Sequence, residues 1–207
     1  MPRTWPDDFA ERKRGKDCPF CAAGRVEEDR YGARIFAGRV SDAYLHRAQV
    51  QPGYTIVVWR GGHVADPTEL SDEDAAAYWL ETLRVARALE RFYKPLKLNF
   101  DTLGNTVPHL HTHVVPRYPI DENPGGPPRF MMSDRPHPPI PEARFRDEVD
   151  ALRALLAQPA EAGAATPPAP GRTGTDRTAR ATRSRERGGA VERRSSTTPG
   201  QRRPRRG

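Results

Sequence analysis

The first half of the chain consists of short apolar stretches separated by turn-forming residues. The apolar stretches cover residues 33–37, 43–50 and 54–59. The residues between them, which predict turns, are Gly38, Ser41-Asp42 and Pro52-Gly53. Stretches of this length bounded by turn residues are typical of β-strands joined by hairpins. The run from Thr55 to Trp59 is β-branched and almost continuously apolar, which predicts a strand covered on both faces.

Two later stretches have the periodicity of helices. Residues 71–94 predict a long helix, because Ser71 is a good N-cap and Pro95 stops the pattern. Its apolar residues recur every three or four positions and predict one buried stripe. That stripe consists of Ala75, Ala76, Trp79, Leu80, Leu83, Ala86 and Leu89. Residues 144–156 predict a second amphipathic helix, which docks either on the same domain or on a second subunit.

The most unusual polar pattern is a histidine at every second position, at His109, His111 and His113. On a strand these side chains share one face and lie roughly 7 Å apart. Residues 97–102 predict the strand before them, and Pro116 is expected to end the histidine strand. A row of imidazoles on one face of a strand is suited to binding phosphate or metal.

The positive charge of the chain is concentrated at its C-terminal end. The sequence has 207 residues and a net charge of +7, and residues 159–207 alone hold 12 arginines against 4 acidic residues. This segment has almost no large apolar residue, so burial cannot offset its ordering entropy and we expect it to be disordered. It either tethers the protein to nucleic acid or another acidic partner, or is a solvated extension without a partner.

The remaining residues predict one domain preceded by a short arm. Residues 1–16 are charged and interrupted by proline, which is typical of a flexible arm, and residues 17–158 hold the predicted strands and helices. No apolar run approaches the length of about 18 residues that a membrane span requires. Since no signal peptide is recognisable either, we expect a cytoplasmic protein.

The two cysteines of the chain are Cys18 and Cys21. In a cytoplasmic protein this spacing favours metal or redox chemistry over a structural disulfide. A thioredoxin-like redox pair requires a strand before it and a helix that begins at the first cysteine, and the pattern predicts neither. A zinc site requires two further ligands. A metal site and inert or oxidised thiols both stay open at this point.

Several of these features together resemble the histidine triad (HIT) family of nucleotide hydrolases and transferases. The family signature is His-x-His-x-His followed by two apolar residues, and residues 109–115 match it except that Thr112 is polar where the family has an apolar residue. Further landmarks follow in the family order at residues 52–58, 62–64, 69–73 and 98–100. The resemblance implies an α+β fold with a five-stranded antiparallel sheet and one long packed helix, and it implies a homodimer.

The resemblance also implies a role for each histidine. His111 would be the nucleophile that attacks the α-phosphorus of a bound nucleotide, and His113 would hydrogen-bond the phosphate or the leaving oxygen. His109 would either orient His111 or complete a zinc site. The ligands of that site would be Cys18, Cys21, His63 and His109, as in zinc-bearing members of the family.

Further residues are implied to contact or support the substrate. Asn105 and Thr106 stand where the family places a glutamine and a small hydroxyl residue that touch the phosphates, and Asn99 matches a strand asparagine. Tyr54 departs from the family, because many members have a histidine there. His46 departs as well, near a position where many members have an acid or amide that holds the ribose.

The function implied by the resemblance is that of a nucleotide hydrolase or nucleotidylyl transferase. Such an enzyme cleaves next to the α-phosphate of dinucleoside polyphosphates or nucleoside phosphoramidates through a covalent nucleotidyl-histidine. One alternative is a phosphorylase, in which inorganic phosphate replaces water as the acceptor. Others are a nucleotide-binding or scaffold protein with vestigial activity, and a redox switch at the cysteine pair.

Overall fold

A computed structural model of the chain describes residues 4–48, 51–128, 130 and 137–159. Apart from Pro159, the C-terminal segment that we expect to be disordered lies outside these residues, so its disorder and its partner stay predictions. No helix in the described residues is long and apolar enough to cross a membrane.

One antiparallel sheet of five strands forms the centre of the domain. The strands are β1 (Gly32–Ala37), β2 (Ser41–His46), β3 (Thr55–Trp59), β4 (Lys97–Asp101) and β5 (His111–Arg117). Their order across the sheet is β1-β2-β3-β5-β4, and all neighbours are antiparallel. The structure therefore confirms the predicted five-stranded antiparallel sheet.

Strand β2 begins earlier than the sequence pattern predicts. Ser41 pairs with Trp59 of β3, although Ser41-Asp42 was expected to form a turn. The two polar side chains tolerate complete burial because each has partners. The Ser41 hydroxyl donates to Glu81 at 2.6 Å, and the Asp42 carboxylate forms an ion pair with Arg25.

Strand β5 continues past the proline that was expected to end it. Pro116 pairs with Leu98 of β4, whereas the pairing of β5 with β3 runs from His111 and ends at Val114. The Pro116 carbonyl accepts a hydrogen bond from the Gln51 side chain at 2.6 Å, on the side of β5 away from β4. The proline nitrogen, which has no hydrogen to donate, therefore lies past the end of β3, where it interrupts no ladder.

The two longest helices cover one face of the sheet. The described residues form α1 (Phe9–Lys13), α2 (Pro19–Ala23), a 3₁₀ turn (Pro67–Glu69), α3 (Asp72–Tyr93) and α4 (Glu142–Ala157). Helix α3 is the predicted long helix, and the Ser71 hydroxyl caps it by accepting from the Asp74 amide at 3.1 Å. It packs on β2 and β5, while α4 packs on α3 and β1, so the second helix docks on its own domain.

Of the stripe that the apolar spacing predicted, only Ala86 and Leu89 lie on the buried face of α3. The buried residues of this helix are Tyr78, Thr82, Val85, Ala86, Ala88 and Leu89. Tyr78 and Thr82 can lie inside because their hydroxyls donate hydrogen bonds, that of Tyr78 to Thr112 Oγ1 at 2.8 Å and that of Thr82 to the Tyr78 carbonyl at 2.8 Å. The apolar side chains of Trp79, Leu80 and Leu83 are exposed instead.

Candidate functional site

A cavity of about 1260 Å³ lies on the face of the sheet opposite α3. Thr112 of β5 points toward α3, where Tyr78 bonds to it, so the residues on either side of it point to the opposite face. The strand residues that line the cavity are Gly32 of β1 and, on β2, β3 and β5, Tyr44, His46, Ile56, Val58, His111 and His113. Their register across β2, β3 and β5 brings them onto one surface, because Ile56 pairs with both Tyr44 and His113.

His111 is held in a form suited to nucleophilic attack. Its Nδ1 lies 2.6 Å from the carbonyl oxygen of His109. Since a carbonyl oxygen only accepts, Nδ1 carries the proton and Nε2 keeps its lone pair. Burial lowers the pKa of His111 below its ordinary value, although the hydrogen bond to His109 acts in the opposite direction. At neutral pH the side chain is therefore an uncharged imidazole with Nε2 available.

His113 is the neighbour of His111 and the hydrogen-bond partner of Tyr54. The ring centroids of the two histidines are 4.8 Å apart, and the Tyr54 hydroxyl lies 2.7 Å from His113 Nδ1. Burial, with smaller contributions from His111 and His46, lowers the pKa of His113 to about 3, and burial raises the pKa of Tyr54. Among the described residues the Tyr54 hydroxyl has no other acceptor, so it donates to Nδ1. His113 then carries its own proton on Nε2.

The loop before β5 contributes two of the predicted substrate contacts to the cavity. Asn105 and Thr106 both line it, beside Gly104, which has the left-handed φ of +66° that favours glycine. Asn99 does not line the cavity. It lies on β4, where its side-chain oxygen accepts from Arg117 at 2.9 Å.

Sequence analysis missed a buried arginine at the edge of the cavity. Arg60 lines the cavity and donates to Asp42, to the Phe20 carbonyl and to the Tyr44 hydroxyl, with distances of 3.2, 3.0 and 3.0 Å. Asp42 also pairs with Arg25 and Arg34, so three guanidinium groups surround one carboxylate. Arg60 is the member of this cluster that lines the cavity and presents a positive charge there, while Arg34 is also paired with Glu27. No local signal marks it, because its members come from remote positions in the sequence.

The four predicted metal ligands lie together next to the cavity. The ligand atoms of Cys18, Cys21, His63 and His109 all lie within 4.8 Å of one another. His109 Nδ1 is 3.4 Å from Cys18 Sγ and 3.5 Å from Cys21 Sγ, and His63 Nδ1 is 3.5 Å from Cys21 Sγ. In a tetrahedral zinc site with bonds of about 2.0–2.3 Å, ligand atoms lie roughly 3.5 Å apart. The separations of this group therefore fit a tetrahedral ion.

Both histidines of this group direct Nδ1 toward the cysteines. His109 Nε2 lies 2.8 Å from the Trp59 carbonyl, and His63 Nε2 lies 3.1 Å from the Lys13 carbonyl. Because a carbonyl only accepts, each Nε2 carries the proton and each Nδ1 is left with a lone pair toward the cysteines. Such hydrogen bonds from the far ring nitrogen are the usual support of metal-bound histidines.

Two expectations about this region were wrong. His109 does not extend the row on the strand, since β5 begins at His111 and the His109 ring turns toward the cysteines. A helix does begin directly after the first cysteine, because Cys18 is the N-cap of α2, although no strand precedes it in residues 4–17. Phe20 of this helix packs against His109 and His111, with centroid distances of 5.5 and 5.2 Å. The cysteine turn thus contacts the catalytic candidate directly.

Known proteins resemble this chain in sequence and in fold. The family model described as HIT domain matches residues 33–120, which include the loop, Tyr54 and all three histidines. The chain is 30% identical over 108 residues to "Protein hit" of Bacillus subtilis, covering 50% of this chain and 72% of that protein. It is 31% identical over 110 residues to "AP-4-A phosphorylase" of Mycobacterium tuberculosis, covering 51% of this chain but only 56% of the phosphorylase.

A crystal structure supports the same assignment at the level of the fold. A histidine triad protein from Sinorhizobium meliloti superposes with a TM-score of 0.55 and 27% identity, covering 61% of this chain and 90% of the other. The strand order, the paired histidines of β5 and the sequence matches lead to one conclusion. The chain belongs to the HIT family.

Proposed function

We propose that the protein is a nucleotide hydrolase or nucleotidylyl transferase that cleaves dinucleoside polyphosphates or nucleoside phosphoramidates next to the α-phosphate. The observation that carries the proposal is His111, a buried neutral imidazole whose Nδ1 is held by the His109 carbonyl beside a large cavity. Membership in the HIT family supports the reaction class. Similarity to a protein named AP-4-A phosphorylase supports the substrate class.

The reaction proceeds in two steps at one histidine. His111 Nε2 attacks the α-phosphorus, a P–N bond forms, and the bond from phosphorus to the leaving oxygen or nitrogen breaks. His113 keeps its proton and donates a hydrogen bond from Nε2 to the leaving atom, which departs with the electron pair of the broken bond and takes its own proton from solvent. A water oxygen then attacks the phosphorus, the electron pair of the P–N bond returns to His111 Nε2, and the water proton passes to solvent.

Positive groups around the cavity stabilise the charge that develops on the phosphate oxygens. Arg60 and its neighbouring guanidinium groups supply one source. The backbone amides of the loop that carries Gly104, Asn105 and Thr106 supply another, since amides at such a turn bind anions. Both are fixed in the folded protein and need no rearrangement when the reaction occurs.

The phosphorylase alternative differs only in the second step. If phosphate rather than water opens the nucleotidyl-histidine, adenosine is released as ADP rather than AMP. The similarity to the mycobacterial phosphorylase makes this a specific second candidate. Diadenosine tetraphosphate, incubated with and without inorganic phosphate, separates the two by the ratio of ADP to AMP among the products.

The covalent step is tested by the mass of the intact protein during turnover. We expect samples quenched without acid, while diadenosine tetraphosphate or an adenosine phosphoramidate is being consumed, to contain a species heavier by one adenylyl group. Acid-free quenching matters because a P–N bond to imidazole is labile in acid. The absence of both turnover and adduct, together with tight nucleotide binding, would favour the binding or scaffold alternative instead.

We also propose that zinc occupies the group formed by Cys18, Cys21, His63 and His109. Two thiolates and two imidazoles form a common donor set of tetrahedral structural zinc, and the observed separations suit it. The ion would fasten the α2 turn to the end of β5. A closed set of four protein ligands leaves no position for substrate, so the proposed role is structural.

Tyr54→Phe should lower kcat about 10-fold with little change in KM. The phenol hydroxyl holds His113 in the tautomer with the proton on Nε2, and without it the proton can move to Nδ1, where it cannot reach the leaving atom. Steady-state kinetics on the phosphoramidate measures this, because a pure kcat effect indicates an interaction made in the transition state. Tyr54→His, which restores the residue of many family members, should recover part of the rate. An unchanged kcat in Tyr54→Phe would contradict the role given to the hydroxyl.

We further propose that the protein is a homodimer formed through α3 and the outer edge of β4. Trp79, Leu80 and Leu83 of α3 and Phe100 of β4 are exposed, and Trp79 lies 6.5 Å from Phe100 between ring centroids. In the described residues, β4 pairs with β5 alone, so its other edge has free backbone groups. An exposed apolar face next to a free strand edge is typical of a subunit interface.

Leu83→Glu should convert the dimer into a monomer without unfolding it. A carboxylate buried at the interface is costly to desolvate, whereas on the exposed face of an isolated subunit it is solvated. Light scattering coupled to gel filtration gives the mass, and circular dichroism checks the helix content. Glu73→Gln, an exposed change in the first turn of α3, is the control. A wild-type protein that is already monomeric at micromolar concentration would refute the dimer.

A further inference from the structure

The cavity extends well beyond the histidines. Besides the strand residues and the loop, its lining includes Trp5 and Arg12 of the N-terminal arm and Tyr31 just before β1. Its volume of about 1260 Å³ exceeds the range of about 300–1000 Å³ typical of pockets for one small ligand. Trp5 and Tyr31 lie outside the residues 33–120 that match the family. This part of the cavity is therefore formed by residues outside the region that matches the family.

Trp5 and Tyr31 are large aromatic side chains with much of their surface free. Trp5 is 62% exposed and Tyr31 is 55% exposed. Each ring is supported from one direction, Trp5 by Phe9 at a centroid distance of 4.4 Å and Tyr31 by the Arg30 guanidinium 4.6 Å above its centroid. Exposed, supported aromatic faces are the surfaces on which nucleobases stack.

Backbone hydrogen bonds hold Tyr31 itself and, in the arm, the residue that follows Trp5. The Tyr31 amide donates to Asp29 at 2.7 Å, and its carbonyl accepts from the Arg47 amide at 2.6 Å. In the arm, Phe9 begins α1, and its amide donates to the Pro6 carbonyl at 3.0 Å. The aromatic pair therefore belongs to ordered segments on both sides of the cavity lining.

The arm itself is anchored next to the metal-ligand group. The Lys13 ammonium forms an ion pair with Asp66, and the Lys13 carbonyl accepts from His63 Nε2 at 3.1 Å. Metal binding at His63 would strengthen that hydrogen bond by polarising the ring N–H. The same histidine would thus hold an ion with one nitrogen and the arm with the other.

We infer that Trp5 and Tyr31 form a subsite for the second nucleobase of a dinucleoside polyphosphate. The inference rests on the proposed function, which requires one nucleoside phosphate at His111. A substrate with two nucleosides joined by a phosphate chain needs a second base site in continuity with the first. The cavity has the volume and the exposed aromatic faces for this second base. The preferred substrates are then dinucleoside polyphosphates rather than nucleoside phosphoramidates, which have a single base.

The test compares substrates with one and two bases. Trp5→Ala should lower the ratio of kcat/KM for diadenosine tetraphosphate to kcat/KM for adenosine phosphoramidate about 10-fold, the scale expected for one lost base stack. Tyr31→Ala should lower it similarly, and Trp5→Phe, which keeps an aromatic face, should retain most of the ratio. Ile120→Ala, an exposed apolar change outside the cavity lining, should leave the ratio unaltered. An equal loss on both substrates, or an unaltered ratio in Trp5→Ala, would overturn the subsite.

A binding measurement decides the inference even where turnover is absent. Calorimetric titration of His111→Asn with diadenosine tetraphosphate and with AMP gives the affinity added by the second half of the ligand. When Trp5→Ala is added to this variant, the ratio of its affinity for diadenosine tetraphosphate to its affinity for AMP should fall about 10-fold. If the wild-type protein turned over neither substrate, the proposed function would fail while this affinity ratio still tested the subsite. An affinity ratio that Trp5→Ala leaves intact would reject the subsite alone.

Discussion

His111→Asn should reduce turnover of diadenosine tetraphosphate by about 10⁴-fold or more, the scale expected when a covalent nucleophile is lost. The asparagine amide can still donate to the His109 carbonyl, which now accepts from His111 Nδ1 at 2.6 Å, so the local structure should persist. What is lost is Nε2, the atom that attacks phosphorus. The adenylyl adduct seen by intact mass should disappear together with turnover.

Two comparisons make this result specific to the nucleophile. His113→Asn should slow both steps but still permit an adduct, because it removes the hydrogen-bond donor and not the attacking atom. In a His111→Gly variant, added imidazole should restore part of the turnover by attacking from solution in place of the missing ring. Full activity in His111→Asn would exclude His111 as the nucleophile and would require another group in the cavity to take that role.

The bounds of α3 were predictable because local signals mark both of its ends. Ser71 and Lys94 lie at the two ends of α3, and Pro95 follows it. The capping residue and the proline, which has no amide hydrogen, were therefore enough to predict where the helix begins and ends. The buried face of the same helix was not predictable from apolar spacing. Tyr78 and Thr82 satisfy their hydroxyls with Thr112 and a backbone carbonyl, and only the folded structure reveals those partners.

The candidate histidines His111 and His113 were recognisable from the sequence, but the positions of their protons were not. The spacing of His111 and His113 put both on one face of β5, as observed. The proton positions depend on the His109 carbonyl and on the Tyr54 hydroxyl, which come from backbone geometry and from another strand. Arg60 was missed for a similar reason, since its partners Asp42, Phe20 and Tyr44 are brought to it by folding.

If zinc occupies the proposed site, Cys18→Ser should release it and lower the melting temperature by roughly 10 °C. Cys18 is buried, is the N-cap residue of α2 and lies 3.4 Å from His109 Nδ1, so serine leaves the ion one thiolate short. Loss of a structural metal is among the few single changes that cost several kcal/mol. Metal analysis of the purified protein gives the zinc content per chain, and calorimetry gives the melting temperature.

Chelation provides the matched control for this prediction. A strong chelator should lower the melting temperature of the wild-type protein to that of Cys18→Ser and have no further effect on the variant, because both remove the same ion. Arg14→Ala, an exposed change at the end of α1, should keep both the zinc content and the response to chelator. A wild-type protein that contains no zinc but loses two mass units on mild oxidation would instead support the redox alternative.

Removal of the ion should also slow catalysis, because Phe20 connects the cysteine turn to His111 and to Arg60. Phe20 follows Cys18 by two residues and packs on His111 at 5.2 Å between centroids, while its carbonyl accepts from Arg60 at 3.0 Å. A loosened α2 turn therefore frees one side of the nucleophile's ring and one partner of the buried arginine. The loss should fall on kcat for one-base and two-base substrates alike, because His111 and Arg60 serve the reacting phosphorus in both. That pattern distinguishes zinc loss from Trp5→Ala, which is expected to discriminate between the two substrates.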